Sequence, residues 1–192
     1  ASARDRGDVQ VDRRTMTPID AINESVVAMR DVSPRDLNSL VDVVAAAGRV
    51  VLIGNGWLLS IASHIATDLW TQADIGAVAP TDVAYLTAQA NDHGHVYMLV
   101  DYVRRYLVVG SVLVAMSCSG RSENILVACR EARKHALITI VTMSGFDEDN
   151  PLRRVGDINF YIPSRSYGTI QVTCHAILHA VCDTLASMRR AA

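Results

Sequence analysis

The sequence predicts an α/β domain: a doubly wound, mainly parallel five-stranded sheet flanked by helices, with a helical layer at its N terminus. Three observations predict it. Half of the 192 residues are hydrophobic but only 5% are aromatic, so the core is built from Val, Ala, Leu and Ile, as in a parallel sheet covered on both faces. From Arg49 onward, short aliphatic runs alternate with amphipathic stretches in repeated strand–loop–helix units. The two most distinctive loops, Gly54-Asn55-Gly56 and Cys118 to Ser122, each follow a strand and open a helix.

Residues 1–15 are polar and charged and are expected to form a disordered arm or linker ahead of a single domain over residues 16–192. The Ala1 start, with Met16 just before the first pattern, fits either a processed start or a piece of a longer protein. A first helix is expected after Thr17, with Pro18 at its first position and Ile19, Ile22, Val26, Val27 and Met29 as its apolar face. Ser33-Pro34 starts a second, Pro34 to Ala47, ended by Gly48. Val50 to Ile53 reads as a buried strand and Trp57 to Gln72 as the helix after it. Ala77 to Pro80 is a short strand. Asp82 to Ala90 and Val96 to Tyr106 read as helices separated by Asn91-Asp92-His93-Gly94. Ser111 to Ser117 is the next strand, followed by a helix to Lys134. Ala136 to Met143 and Asp157 to Ile162 are the last strands, and Thr169 to Met188 is a long final helix. In such sheets ligands bind at the carboxyl ends of the strands, which points to the loops after Ile53 and Ser117.

The bulk numbers exclude several classes. A net charge of −2 leaves no basic excess to neutralise a nucleic-acid backbone, so no nucleic-acid partner is expected. No apolar run is long enough to cross a bilayer, so no membrane partner is expected either. Cys118, Cys129, Cys174 and Cys182 show no CxxC spacing and read as reduced thiols of a cytoplasmic protein.

Ser117-Cys118-Ser119-Gly120-Arg121-Ser122 brings hydroxyls, backbone N–H groups and a helix N terminus together, which holds a phosphate without many positive charges. An ordinary Ser-rich loop with a helix cap would look the same. Gly54-Asn55-Gly56 allows close backbone approach to a ligand but is neither a dinucleotide fingerprint nor a P-loop. His64 and Asp68 share a helix face, and Gln171, His175 and His179 recur every four residues on the last helix. Such a set suits a metal site or an acid–base pair. A surface pair and two core histidines have the same spacing, and spacing within each helix does not show that the helices meet.

Taken in order, Ile-Gly-Asn-Gly, His64 and Asp68, Asn91-Asp92, Ser-x-Ser-Gly-x-Ser, and Ile170-Gln171 with His179 resemble the phosphoheptose isomerases of the sugar isomerase (SIS) superfamily, over about Pro18 to Met188. The resemblance implies conversion of sedoheptulose 7-phosphate to a heptose 7-phosphate through an enediol, in a homotetramer with active sites at subunit interfaces. It implies zinc held by His64, Asp68, Gln171 and His179, with Asp68 as general base and His179 as general acid. The phosphate would rest on Ser117, Cys118, Ser119 and Ser122; Asn55, Gly56, Trp57, Asn91, Asp92 and Gln171 would line the substrate.

The chain departs from the family pattern in ways that bear on substrate. Asp68 stands for a Glu one methylene longer. Gly56-Trp57-Leu58-Leu59 replaces a Gly-Gly-Ser continuation, with Leu58 in place of a phosphate-holding serine. Cys118 replaces a threonine, and Gly168 stands near a position that can carry Asp. These changes suggest an altered sugar, such as the eight-carbon ketose phosphates that relatives use in antibiotic biosynthesis. A non-catalytic SIS module of the replication-initiator-associating type is the alternative, and Pro163 to Gln171 resembles a segment of those proteins. Such binders tend to lose the final histidine, whereas this chain keeps His179 together with His64 and Gln171.

Overall fold

The computed structural model describes residues 16–191; the expected arm over residues 1–15 lies outside them. Five strands form one sheet: β1 (Val50–Ile53), β2 (Ala77–Val78), β3 (Val112–Ser117), β4 (Thr139–Ser144) and β5 (Ile158–Tyr161). Their order is β2-β1-β3-β4-β5 and every neighbouring pair is parallel. Seven α-helices accompany them: α1 (Pro18–Arg30), α2 (Pro34–Ala45), α3 (Trp57–Ala73), α4 (Val83–His93), α5 (Val100–Tyr106), α6 (Glu123–Ala132) and α7 (Tyr167–Ala191). Pro151–Arg154 adds one 3₁₀ turn.

Alternate strand residues feed two cores, because side chains on a strand point to opposite faces. Val50, Leu52, Val114, Met116 and Met143 pack with α2, α3 and α7. Val51, Ile53, Leu113, Ala115 and Ile140 pack with α5 and α6. β1 is therefore apolar at every position and β3 at every position but its last, Ser117, and both strands are buried throughout. The chain leaves β1 toward β2 on one side and reaches β3 on the other. That reversal opens a crevice at the carboxyl ends of β1 and β3.

Several elements differ from the sequence reading. The expected N-terminal helical layer is present, α1 and α2 both packing against α7 on the sheet face that carries α3, but its apolar face is not the one expected. α1 buries Ala28 and turns its small or polar Ala21, Glu24 and Ser25 partly inward, while Ile19, Ile22, Val26 and Val27 stand exposed. α2 stops at Ala45, short of Gly48. α4 runs on through Asn91 and Asp92, so this pair sits on a helix end rather than in a loop, and α5 starts only at Val100. β4 begins at Thr139 rather than Ala136, since Leu137 has φ +58°, incompatible with a strand.

Candidate functional site

The loops after β1 and β3 meet through a reciprocal amide pair. Asn55 Nδ2 donates to Asn124 Oδ1 at 3.0 Å, and Asn124 Nδ2 donates to Asn55 Oδ1 at 2.8 Å. Asn124 is buried in the first turn of α6. Nothing marked it as functional in the sequence except a polar residue on the arc shared with Ala128 and Ala132. Gly54 is required beneath this joint, where a Cβ would press on Leu58. Leu58 itself is buried in the core and offers no group to a ligand, whereas Trp57 is exposed at the start of α3. Gly56 has φ +56°, a conformation that favours glycine.

The hydroxyl loop is braced from the other side. Ser117 Oγ donates to Ser122 Oγ at 2.9 Å, and Ser119 Oγ accepts from the Arg121 backbone at 3.2 Å. Gly120 has φ +62°, and a Cβ there would collide with the Asn150 side chain. Asn150 is fully buried and donates to Ser144 Oγ at 3.0 Å and to the Asp147 carbonyl at 2.8 Å. The Leu152 N–H donates to the Gly120 carbonyl at 3.1 Å, tying the loop after β3 to the turn after β4. The Asn150-Pro151 dipeptide is a turn signal that could have flagged this brace. Arg121 pairs with Asp147 at 3.3 Å, so its charge is already answered.

Side-chain caps divide the helices: α1, α2 and α4 have one, whereas α3, α5 and α6 have none. Thr17, Ser33 and Asp82 cap α1, α2 and α4 with side-chain hydrogen bonds. α3 and α6, which open from the two loops, have no side-chain cap. The Leu58 N–H already donates to the Asn55 carbonyl at 3.2 Å and the Ile125 N–H to the Ser122 carbonyl at 3.1 Å, which leaves the Trp57, Glu123 and Asn124 N–H groups, at the positive ends of the helix dipoles, available to an anion.

The packing of α3 against α7 brings the spaced polar residues together. Ile61, Ile65 and Leu69 meet Cys174, Ile177 and Leu178 in one core, which sets His64 and Asp68 beside His175 and His179. His64 Nε2 lies 3.1 Å from His179 Nε2 and 3.2 Å from Asp68 Oδ2. Asp68 Oδ2 is also 3.6 Å from His179 Nδ1. The Asp68 side chain is 14% exposed, against 52% for His64 and 38% for His179, so the carboxylate lies deepest. His175 stacks at 4.6 Å from His179 and 5.3 Å from His64 between ring centroids. Burial, then the neighbouring His179 and His64 rings, holds His175 below the usual imidazole value, so it is neutral near pH 7. The Gln171 side chain lies against the Cys118 thiol, whose pKa burial pushes up. That contact links the last helix to the hydroxyl loop. Asn91 and Asp92 bond each other at 2.9 Å and are exposed; among the described residues neither hydrogen-bonds the hydroxyl loop or the imidazoles.

A five-stranded parallel sheet with an uncapped hydroxyl loop at its reversal point and a carboxylate–imidazole cluster beside it defines a sugar-phosphate isomerase of the SIS type. No protein-family model matches the chain. A phosphoheptose isomerase of Burkholderia pseudomallei is 34% identical over 145 residues, 72% of this chain and 73% of that protein. One of Leptospira biflexa is 30% identical over 154 residues, 76% of this chain and 78% of that protein. The structure of a phosphoheptose isomerase from Francisella tularensis superposes with a TM-score of 0.78 at 27% identity, covering 88% of this chain and 98% of that one. The chain belongs to the phosphoheptose isomerase family.

Proposed function

We propose that this chain interconverts a ketose phosphate and its aldose isomer through an enediol, with sedoheptulose 7-phosphate or an eight-carbon ketose phosphate as substrate. The observation that carries the reading is Asp68 held between His64 and His179, a carboxylate and an imidazole side by side. Asp68 takes the proton from the carbon beside the carbonyl while His179 gives a proton to the carbonyl oxygen. The enediol then loses its other hydroxyl proton and regains one on carbon, so the isomer forms with no net change in composition. The hydroxyl loop and the free N–H groups of α3 and α6 hold the distant phosphate, so remote binding orients the reacting end. Leu58, which offers no hydroxyl, and Trp57 at the mouth of the crevice favour a sugar differing from the seven-carbon one, in keeping with antibiotic biosynthesis.

The donor set fits zinc. The separations of 3.1 and 3.2 Å around His64 Nε2 are close to the edge of about 3.3 Å expected for a tetrahedral site with metal–nitrogen bonds of about 2.0–2.1 Å, while Asp68 lies 3.6 Å from the other ring nitrogen of His179, Nδ1. His64, Asp68 and His179 would hold the metal, with Gln171 as the further ligand that the family resemblance implies. Bound there, zinc would supply Lewis-acid polarisation of the carbonyl.

A homotetramer with sites at its interfaces accounts for the exposed apolar stripe of α1 and for the open side of His64. A cytoplasmic location suits unbridged buried cysteines and a phosphorylated substrate. None of the described helices is long and apolar enough to cross a membrane.

The test supplies sedoheptulose 7-phosphate and an eight-carbon ketose phosphate in heavy water with added zinc. Chromatography follows the isomers and mass spectrometry follows deuterium on carbon. Turnover with deuterium uptake supports the reading. Turnover of the seven-carbon sugar alone would overturn the longer substrate, and no turnover of either would overturn the isomerase.

A further inference from the structure

His175 has no place in the ligand set that the family resemblance implies, yet it is part of the imidazole cluster. His64, His175 and His179 each offer a ring nitrogen within 4.8 Å of the other two. These three come from two helices locked together by the α3–α7 core, so the cluster is a consequence of the fold and not of one flexible side chain. His175 Nε2 is shut off from solvent and has no hydrogen-bond partner. An unanswered buried nitrogen costs about 1–3 kcal/mol, and imidazoles that ligate metals ordinarily have both ring nitrogens satisfied. A cation among the three rings would satisfy it or fix the ring that carries it.

Chemistry favours the same residue. Gln171 and His175 are one turn apart on α7, so both can face α3. Imidazole is an established zinc ligand, whereas an amide oxygen is the softer metals' poorer choice and suits Mg²⁺ and Ca²⁺ better. Gln171 already has a neighbour in the Cys118 thiol.

We propose that His175 supplies a third imidazole, with His64 and His179, to a divalent-metal site, in the position the family resemblance gives to Gln171. The proposal rests on the metal-assisted reading above. Asp68 keeps its contacts with His64 and His179 in either arrangement.

The experiment uses the full chain, stripped of metal and titrated with Co²⁺ and with Zn²⁺ against a chromophoric chelator. His175→Ala, His175→Gln and Gln171→Ala are compared, with circular dichroism to confirm folding. X-ray absorption of the zinc-loaded protein counts imidazoles directly, whatever the variants do. The expected result is three imidazoles per zinc, at least a 100-fold weaker affinity and an altered Co²⁺ visible spectrum in both His175 variants, and a smaller change in Gln171→Ala. Two imidazoles per zinc, or wild-type affinity and spectrum in a folded His175→Gln, would overturn the proposal while leaving the metal-assisted reading standing. A wild-type chain that turns over ketose phosphate but binds neither metal overturns both the proposal and the zinc, and leaves the isomerase.

Discussion

Asp68 concentrates the chemistry of the site. Its carboxylate is less exposed than His64 or His179 and lies against both. Asp68→Asn keeps the shape and removes the proposed base, so kcat should fall by about 10²–10⁴ with the melting temperature nearly unchanged, measured by steady-state kinetics beside thermal denaturation. Ser122→Ala should act differently. It removes a hydroxyl that bonds Ser117 and faces the uncapped start of α6, so KM should rise several-fold more than kcat falls, checked over a range of substrate concentrations. The spacing of His64, Asp68, Gln171 and His179 was legible in the sequence because a helix repeats nearly every four residues. Their convergence was not, since it depends on the apolar seam between α3 and α7, which polar spacing does not record. Asn124 and Asn150 were harder still: each braces a loop by bonding residues that the sequence places far away or in a turn.

Among the elements, the loop after β3 is the most constrained. Gly120 combines φ +62° with a contact surface supplied by Asn150. Gly120→Ala should destabilise the protein by at least about 1–2 kcal/mol from the left-handed backbone alone, and by more once Asn150 is displaced, read from denaturant unfolding. The α5–α6 contact carries a pH signature. Glu131 is buried and accepts from Arg104 Nε at 2.6 Å and Lys134 Nζ at 2.7 Å. Hydrogen bonds from Arg104 and then Lys134 hold its carboxyl down from 4.5 to about 2. Because the folded pKa is the lower one, this stabilisation is complete above about 4.5 and is lost as pH falls toward about 2. Glu131→Gln should therefore melt several degrees lower than the parent at pH 7, with the gap narrowing below pH 4.5, by calorimetry across pH. Strand assignments came through well, because β1 is wholly aliphatic and β3 is apolar up to Ser117 at its end. The α4–α5 region did not, because Asn91-Asp92-His93 reads as loop chemistry but continues a helix until Gly94, whose φ of +78° ends it.

For the whole molecule, sheet order and the location of the crevice follow from the alternation of aliphatic strands and helices, which a sequence displays directly. The assembly does not. Ile19, Ile22 and Val26 formed a legible apolar face, but the face toward α7 is built from Ala21, Ser25 and Ala28, leaving the larger side chains outward. Such a stripe on an otherwise capped, well-formed helix fits contact with a second copy. If the proposed tetramer forms through this stripe, Ile22→Asp should yield smaller species than the parent in analytical ultracentrifugation while each chain stays folded.

On the proposed reading, the carboxylate–imidazole cluster of α3 and α7 moves protons on a phosphorylated ketose. The most direct measurement is single-turnover mass spectrometry in heavy water with the wild-type chain, Asp68→Asn and His179→Ala. The wild type should form isomer with one carbon-bound deuterium, and either variant essentially none. Equal deuterium uptake by folded Asp68→Asn, or isomer formed by the wild type without deuterium, would contradict that reading.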